Sequence, residues 1–259
     1  MSEDGIERDG LKPGDVVAIT GGGGGFGRAF AKRFARAGAA IAVWDLNGDS
    51  GAETVRQVQA LGGQAQFFRV DLSEAEEIVA AAGDTLAAFG APYCVINNAS
   101  VYPRGAVLDL SLQAWERTFR VNVTAPFLVV KAFGPAMIEC KRGVVINVAS
   151  GRALEGAPGG SNYAASKAAL HSLTKSLALE WARHGIRVNT LIPGQSLTAM
   201  PLEATTEAVM HAKAAVENPL GRVGHPEDMA GLALFLASRD AAYLTGQGIA
   251  MNGGSVLTP

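Results

Sequence analysis

The sequence predicts an α/β fold built on a doubly wound parallel sheet of about seven strands, with helices on both faces. Short β-branched apolar segments alternate with segments of helical periodicity, and this order requires parallel strands joined by helical crossovers. Runs such as AIAVW and VVINV are apolar at every position, which is typical of strands buried on both faces. No change of composition, linker or repeat divides the 259 residues, so we expect a single domain over 1–259 with a polar N-terminal extension at 1–14.

Strands and helices alternate from the first apolar segment to the last. The predicted strands cover 15–20, 39–45, 65–71, 93–98, 143–150, 186–191 and 248–252. The predicted helices cover 27–38, 50–63, 73–90, 111–140, 161–184, about 200–216 and 226–238. Two helices open with the capping-box spacing of a Ser and a Glu three residues later, at Ser50 with Glu53 and at Ser73 with Glu76.

Composition and charge exclude several classes of partner and compartment. The formal net charge is -2 and no long Lys/Arg run occurs, so we expect neither nucleic acid nor an anionic membrane as a partner. The first fifteen residues are acidic and polar, unlike a signal peptide, and no apolar run reaches membrane-spanning length. These features predict a cytoplasmic protein.

The cysteines and histidines predict no metal site and no disulfide. Only two cysteines occur in this large chain, and neither Cys-x-x-Cys nor His-x-x-x-His spacing is present. Buried or idle thiols are the simplest interpretation of Cys94 and Cys140.

A glycine-rich stretch, AITGGGGGFGRAF at 18–30, lies between the first predicted strand and the first helix. Backbone N–H groups at a helix N-terminus, without side chains in the way, predict a phosphate-binding loop. Its spacing is T-G-x-x-x-G-x-G, with Gly21, Gly25 and Gly27 as the fixed glycines, and 22–24 at variable positions. Asp45 ends the next strand, where a carboxylate can bind ribose hydroxyls. A Walker loop is excluded because no Gly-Lys pair occurs.

Tyr163 and Lys167 are four residues apart on a predicted helix and therefore share one face. A phenol titrates near pH ~10, and a neighbouring ammonium favours the phenolate and lowers the pKa. The pair is therefore a candidate acid–base group near neutral pH. Taken alone, such a spacing also arises by chance in any helix.

Together these motifs resemble the single-domain short-chain dehydrogenase/reductase family, over about 11–254. The motifs are the glycine loop, Asn-Asn-Ala-Ser at 97–100, Tyr163-x-x-x-Lys167, Ser150 thirteen residues before Tyr163, Asn122, and IPGQSLT at 192–198. The resemblance implies a NAD-binding Rossmann-type catalytic domain. Asn252 departs from the family pattern, which often has Asp there, and Ser100 replaces the usual Gly.

The resemblance implies four catalytic residues. Tyr163 would be the acid–base, and Lys167 would lower its pKa and hold the nicotinamide ribose. Ser150 would bond the reacting oxygen, and Asn122 would place a water in a proton relay. Each also has a simpler interpretation, such as a helix brace for Asn122 or a turn residue for Ser150.

The resemblance also implies a cofactor site. Asp71 and Leu72 would lie along the adenine, Asn98 and Ala99 along the cofactor backbone, and Ser196 and Thr198 at the nicotinamide amide. The full set is Gly21, Gly25, Phe26, Gly27, Asp45, Leu46, Asp71, Leu72, Asn98, Ala99, Tyr163, Lys167, Pro193, Gly194, Ser196 and Thr198. We expect NAD, because Asp45 repels a 2′-phosphate and no basic residue stands at Gly24 or Leu46.

Substrate identity is open. Arg104 and Arg152 follow motifs near the expected reaction centre and would receive a carboxylate, sulfonate or polyol, or else are solvated loop residues. Ser100 and Gln195 are further candidates for the substrate side. The open functions are a NAD-dependent secondary-alcohol or polyol dehydrogenase, a carbonyl or 3-oxoacyl-type reductase, and a non-catalytic NAD-binding regulator. The resemblance implies a homotetramer, or a homodimer, packed through 111–140 and 161–184.

Overall fold

A computed structural model describes residues 10–257. Within that range seven parallel strands form one sheet in the order β3-β2-β1-β4-β5-β6-β7, which confirms the predicted fold class. The strands are β1 (Val16–Thr20), β2 (Ala40–Asp45), β3 (Ala65–Arg69), β4 (Cys94–Asn97), β5 (Gly143–Val148), β6 (Ile186–Pro193) and β7 (Gly248–Met251).

Helices connect the strands and cover both faces of the sheet. They are α1 (Gly25–Arg36), α2 (Gly48–Ala60), α3 (Ala75–Phe89), α4 (Leu112–Phe119), α5 (Ala125–Cys140), α6 (Arg152–Glu155), α7 (Ser161–Trp181), α8 (Ala199–Leu202), α9 (Glu207–Glu217) and α10 (Pro226–Ala237). Residues of α1, α2 and α10 pack in one apolar cluster against the sheet, and residues of α3, α5 and α7 pack in a second. Burial of both sheet faces explains why the strands are continuously apolar.

The strand order reverses at β1, which pairs with β2 on one side and with β4 on the other. The crossovers from β1 therefore lead one way and those from β4 lead the other, so a crevice opens beyond their carboxyl ends. Ligands of open α/β sheets bind at such a switch point. The predicted glycine loop follows β1, and the Asn-Asn-Ala-Ser segment overlaps the end of β4.

The start of α2 and the start of α3 differ from the capping-box predictions, which were wrong. The side chain of Asn47 caps α2 by accepting a hydrogen bond from the Ser50 N–H, 2.9 Å away. Ser73 precedes α3 and donates both its N–H and its hydroxyl to Asp71 Oδ1. In both loops an Asn or Asp side chain closes a local turn and takes up the donor that the box would have used.

The predicted helix at 111–140 is divided into α4 and α5 by a π-helical turn, Arg120–Thr124. Pro126 lies in the first turn of α5 and has no N–H, so it cannot donate to the carbonyl of Asn122 four residues earlier. The missing donor favours the wider turn at this point. The predicted segment about 200–216 is likewise two helices, α8 and α9, and the short α6 was not predicted.

One helical segment, Leu112–Cys140, is long and apolar enough to cross a membrane, with a mean hydropathy of 1.5 over an 18-residue window. The prediction that no apolar run reaches that length was therefore wrong. Half of the window is buried inside the protein, where Val129, Phe133 and Met137 of α5 pack against the sheet. A core helix has the same composition, so this segment is weak evidence for a membrane.

The predicted extension at 1–14 falls largely outside the described residues. Its described part lies against the domain, because the Leu11 N–H donates to the Ala237 carbonyl, 3.2 Å away, and Leu11 packs against the core. Arg142 bonds both carboxylate oxygens of Asp15, at 2.8 and 2.9 Å, and so holds the entry to β1.

Candidate active site

The loops after β1, β4, β5 and β6 surround a cleft of about 720 Å³. Tyr163 and Ser150 line one part of it, and Phe26 and Thr198 line another. Predicted substrate-side residues Arg104, Arg152 and Gln195 line the same cleft, together with Pro193, Gly194 and Ser196.

The three predicted glycines each meet a steric requirement. Gly21 and Gly25 have φ of +62° and +49°, a region that favours glycine. A Cβ on Gly21 would lie 2.9 Å from the Cα of Ala99, and a Cβ on Gly27 would overlap the Gly21 carbonyl oxygen. Only a loop without side chains lets β1, β4 and α1 come this close, and the bare backbone that results fits a pyrophosphate.

Two of the glycines treated as variable are also constrained, which corrects the interpretation of 22–24. A Cβ on Gly22 would lie 2.9 Å from Val43 Cγ1, and one on Gly23 would lie 2.8 Å from Asp45 Oδ2. At Gly24 no atom of the described residues lies within 4 Å of a Cβ. Of the three positions 22–24, only Gly24 therefore has room for a side chain.

Asp45 is fixed by the backbone on both of its oxygens. Oδ2 accepts from the Gly23 N–H at 2.8 Å and Oδ1 from the Asn47 N–H at 2.9 Å. The Arg28 guanidinium donates to the Gly23 carbonyl, so the Gly23 peptide is held between a carboxylate and a cation. Leu46, half exposed at 50%, follows directly. The carboxylate keeps lone pairs for ribose hydroxyls at a defined position.

Asn98 and Thr20 join the ends of β4 and β1. Asn98 Nδ2 donates to the carbonyls of Thr20 and Gly21, at 3.0 Å each, and the Asn98 N–H donates to Thr20 Oγ1 at 3.0 Å. Asn98 therefore shapes the loop, and Ala99 touches Gly21 beside it. The predicted adenine residues Asp71 and Leu72 follow β3, next to Asp45 at the edge of the sheet.

The loop after β6 meets the glycine loop from the opposite side. A Cβ on Gly25 would lie 3.3 Å from Thr198 Cγ2, so the predicted nicotinamide residue Thr198 faces the start of α1. Ser196 is buried and donates its hydroxyl to the Gly194 carbonyl at 3.2 Å. Phe26 lines the cleft and its ring stacks on Phe30. The two loops therefore meet beside the cleft that Tyr163 lines.

Tyr163 and Lys167 lie at the base of the cleft, and both side chains are buried. Lys167 Nζ is 5.7 Å from the centroid of the Tyr163 ring and donates to the Val148 carbonyl at 2.8 Å. The Ser150 and Ser100 side chains are polar neighbours of the Tyr163 hydroxyl, and both lower the pKa of the phenol. The structure thus brings Ser150, Tyr163 and Lys167 together, as the sequence predicts.

Asn122 lies beside this group, in the π-helical turn. Its side chain makes four hydrogen bonds within the protein, to Val101, Ser100 and Ser166. The Asn122 side chain therefore has no donor or acceptor left for a water molecule. The main-chain carbonyl of Asn122 could accept a hydrogen bond from a water instead, because Pro126 has no N–H to donate to it.

Known proteins match this chain over nearly its whole length. A family profile described as Enoyl-(Acyl carrier protein) reductase matches residues 22–256. The solved structure of a short-chain type dehydrogenase/reductase from Mycobacterium marinum superposes with a TM-score of 0.87 at 33% identity, covering 95% of this chain and 97% of that one. The chain belongs to the short-chain dehydrogenase/reductase family.

Two further relatives of this family indicate the reaction. LinX of Sphingobium indicum, a 2,5-dichloro-2,5-cyclohexadiene-1,4-diol dehydrogenase, is 36% identical over 241 residues, covering 93% of this chain and 96% of its own. A putative NAD(P)-dependent gluconate 5-dehydrogenase from Beutenbergia cavernae, with NADP bound at low occupancy, is 36% identical with a TM-score of 0.89, covering 94% and 97%. The protein is an oxidoreductase of this family that acts on secondary alcohols.

The pKa of Tyr163 differs from the sequence-based prediction. Burial raises the pKa of the phenol, while the hydrogen bonds from Ser150 and Ser100 and the charge of Arg104 lower it. Burial also lowers the pKa of Lys167 to about 7, so the ammonium expected to favour the phenolate is itself weakened. The prediction treated the two side chains as solvated, whereas both lose water in this short-chain dehydrogenase.

On the substrate side the two arginines differ. Arg152 faces Glu155, with 3.7 Å between Nη1 and Oε2. The Arg104 guanidinium lies over the ring of Tyr102, and that ring in turn stacks on Tyr163. Tyr102 was missed in the sequence, where its position two residues after the Asn-Asn-Ala-Ser motif was the available signal.

Proposed function

We propose that the protein is a NAD-dependent dehydrogenase that interconverts a secondary alcohol, of polyol, sugar or hydroxy-acid type, and its ketone. The observation that carries this proposal is the buried Tyr163, which lines one cleft with Ser150 and Phe26 and lies beside the buried Lys167. A small-molecule substrate fits a cleft of this volume.

The proposed proton chemistry uses Tyr163, Ser150 and Lys167. Ser150 bonds the alcohol oxygen of the substrate and orients it toward Tyr163. The Tyr163 phenolate accepts the hydroxyl proton in oxidation, and the phenol returns it in reduction. Lys167 has a pKa of about 7 and passes the proton between Tyr163 and bulk water. The route to water runs past the main-chain carbonyl of Asn122. A nicotinamide cofactor, when bound, supplies the hydride transfer.

Most of the residues proposed to hold the cofactor lie at or just after the carboxyl ends of β1, β2, β3, β4 and β6. Gly21, Gly25 and Gly27 offer backbone N–H groups to the pyrophosphate, and Asp45 accepts from the adenine ribose. Further contacts are proposed from Phe26, Leu46, Asp71, Leu72, Asn98, Ala99, Pro193, Gly194, Ser196 and Thr198, with Lys167 and Tyr163 at the nicotinamide ribose.

NAD rather than NADP is part of the proposal. A second phosphate would approach Asp45, whose carboxylate is fixed and cannot swing away without losing two backbone donors. Neither Gly24 nor Leu46 supplies a compensating cation. NADP in the gluconate 5-dehydrogenase structure shows that relatives of this fold accept the phosphorylated form, so the preference needs its own measurement.

Reduction of a carbonyl, as in a 3-oxoacyl-type reductase, is the second candidate function. A relative from Chlamydia trachomatis that is 34% identical and is named a 3-oxoacyl-[acyl-carrier-protein] reductase favours it. The two candidates share the residues and differ in the direction of the reaction and in the chain length of the substrate. A non-catalytic NAD-binding regulator is disfavoured, because the buried Tyr163 and Lys167 pair beside Ser150 would then have no use.

A screen for formation of NADH and NADPH over alcohols, polyols, sugars and hydroxy acids tests the proposal, with consumption over ketones and 3-oxoacyl thioesters as the reverse arm. We expect NADH formation with a secondary alcohol, reduced 10²- to 10⁴-fold by Tyr163→Phe. Activity retained in that variant overturns the mechanism, and activity confined to the 3-oxoacyl thioesters favours the second candidate.

We also propose a homotetramer of single-domain subunits located in the cytoplasm, with a homodimer as the alternative. Exposed apolar side chains on α4 and α5, Leu112, Trp115 and Phe127, and Leu179 on α7 support an interface there. Light scattering after size exclusion measures the subunit number, and a monomer at micromolar concentration contradicts the assembly.

A further inference from the structure

The rings of Tyr102 and Tyr163 are stacked, with their centroids 4.2 Å apart and their planes at 15°. Among the aromatic pairs of residues 10–257 this is the closest and flattest. The Arg104 guanidinium carbon lies 4.3 Å from the centroid of the Tyr102 ring. The Tyr163 ring and the Arg104 guanidinium are both too close to the Tyr102 ring to share one of its faces. They therefore lie on opposite faces, and Tyr102 is held between them.

Gly160 provides the space that Tyr102 needs. A Cβ on Gly160 would overlap the Tyr102 hydroxyl and would lie 2.6 Å from its Cε2 atom. Gly160 has an extended φ of -154°, so its conformation does not require glycine, and the absence of a side chain serves only the neighbouring ring.

The loop that carries Tyr102 is tied to the segment before and at the start of α7. Asn162 Nδ2 donates to the Pro103 carbonyl at 3.1 Å, and the Gly105 N–H donates to the Gly159 carbonyl at 3.1 Å. Both bonds are made just after Tyr102 in the chain and hold its loop against the start of α7, where Tyr163 is located. The ring is therefore fixed by its backbone as well as by its two faces.

We propose that Tyr102 is a positioning residue that holds the Tyr163 hydroxyl against Ser150, and that Arg104 and Gly160 keep Tyr102 in place. This inference rests on the proposed acid–base role of Tyr163. A tyrosine side chain rotates about two bonds, and a misplacement of about 1 Å at a reacting group costs on the order of 100-fold in rate. The stack removes this freedom before the substrate binds.

Four variants separate positioning from general packing: Tyr102→Ala, Tyr102→Phe, Gly160→Ala and the double variant Gly160→Ala/Tyr102→Ala. We expect kcat to fall about 10- to 100-fold in Tyr102→Ala, with the Kd for NAD unchanged. Tyr102→Phe keeps the ring and retains kcat within about threefold. Gly160→Ala lowers kcat by displacing the ring, and the double variant is no slower than Tyr102→Ala, because the displaced ring is absent.

The pH profile of kcat supplies a readout that packing alone does not move. The groups that face the Tyr163 hydroxyl or ring are Ser150, Ser100, Tyr102, Arg104 and Lys167. The Arg104 charge favours the phenolate, so Arg104→Gln shifts the rise of oxidation rate to higher pH, while Arg104→Lys keeps the charge and shifts it less.

The outcomes distinguish this proposal from the function on which it rests. If Tyr163→Phe is inactive while Tyr102→Ala keeps wild-type kcat, or if the losses of Gly160→Ala and Tyr102→Ala add in the double variant, the positioning role is overturned and the function stands. If Tyr163→Phe is active, the proposed function fails, and this role with it. An unchanged Kd for NAD shows that each variant is folded.

Discussion

The side-chain amide of Asn122 bonds both polar groups of the Val101 main chain. Its Oδ1 accepts from the Val101 N–H at 2.9 Å, and its Nδ2 donates to the Val101 carbonyl at 3.0 Å. The second bonds of the amide go to Ser100 and Ser166. Since Ser100 neighbours the Tyr163 hydroxyl and Tyr102 follows Val101, this amide helps to determine where the loop after β4 meets α7.

Asn122→Ala is therefore expected to destabilise the protein. The substitution leaves the N–H and the carbonyl of Val101 without their partners in a partly buried region, and each such group costs at most about 1–3 kcal/mol. Urea unfolding measures the loss in the free energy of unfolding. Ser166→Ala, which removes a single bond to the same amide, is the matched control and should cost less; equal losses would contradict the account of Asn122 as the brace of Val101.

How far the sequence predicted this site depends on the range of each interaction. Tyr163 and Lys167 could be paired because helix geometry fixes side chains four residues apart. The doubly wound parallel sheet followed from the alternation of strands and helices alone. The Asn47 cap was missed because Asn47 and Ser50 are both possible caps within a few residues. Which of them caps α2 depends on the direction of the chain after β2.

Features that depend on distant segments could not be read from the sequence. The stack of Tyr102 on Tyr163 joins positions 61 residues apart, and only the folded loop places Gly160 beside that ring. The predicted direction of the Tyr163 pKa shift was wrong for the same reason. Desolvation by the surrounding elements raises this pKa, whereas the prediction considered only the neighbouring ammonium. The constraint on Gly23 was missed because its contact with Asp45 joins the loop after β1 to the end of β2.

The glycine loop predicts a sharp contrast between two single-methyl substitutions. Gly27→Ala places a Cβ on the Gly21 carbonyl oxygen, which is backbone and cannot move aside, so we expect loss of NAD binding or of the folded state. Gly24→Ala adds the same methyl group where no atom of the described residues lies within 4 Å. Its NAD affinity, measured by calorimetry, should stay within about threefold of wild type.

Comparable NAD affinities in Gly24→Ala and Gly27→Ala would contradict this interpretation of the loop. A melting curve of each variant shows whether a loss of binding at Gly27 comes from the loop alone or from unfolding of the domain.

Asp45 predicts the choice of cofactor. Asp45→Ala removes the acceptor for the ribose and the charge that repels a 2′-phosphate, so the ratio of kcat/KM for NAD over NADP should fall about 10- to 100-fold. Asp49→Ala, which removes an exposed carboxylate from the first turn of α2, is the matched control. An unchanged ratio in Asp45→Ala would show that the preference lies elsewhere.

Gly24→Arg extends the same test by adding a cation at the open position. Compared with Gly24→Gln, it should improve kcat/KM for NADP, and the improvement should shrink as salt screens the charge. An equal effect of the neutral Gln would assign the change to contact rather than to charge.

Lys167 predicts a pH-dependent stability of definite sign. Burial lowers its pKa from an ordinary value of 10.5 to about 7, so between these pH values the unfolded chain binds a proton that the folded chain does not. Stability contributed through this group therefore rises with pH across that window, and below about pH 7 the penalty is constant and largest. A pKa difference of this size corresponds to roughly 5 kcal/mol, against about 1 kcal/mol for the bond to the Val148 carbonyl.

Since the penalty exceeds the hydrogen bond, Lys167→Met should unfold at higher urea concentration than wild type at pH 7, although it is inactive. The difference should shrink as the pH rises toward 10.5 and close above it, because the lysine of the unfolded wild-type chain then also becomes neutral. Lys175→Met removes an exposed lysine from the same helix and should show no such trend. A difference between Lys167→Met and wild type that is independent of pH would mean that Lys167 stays charged in the folded protein, with the Val148 carbonyl as a sufficient partner.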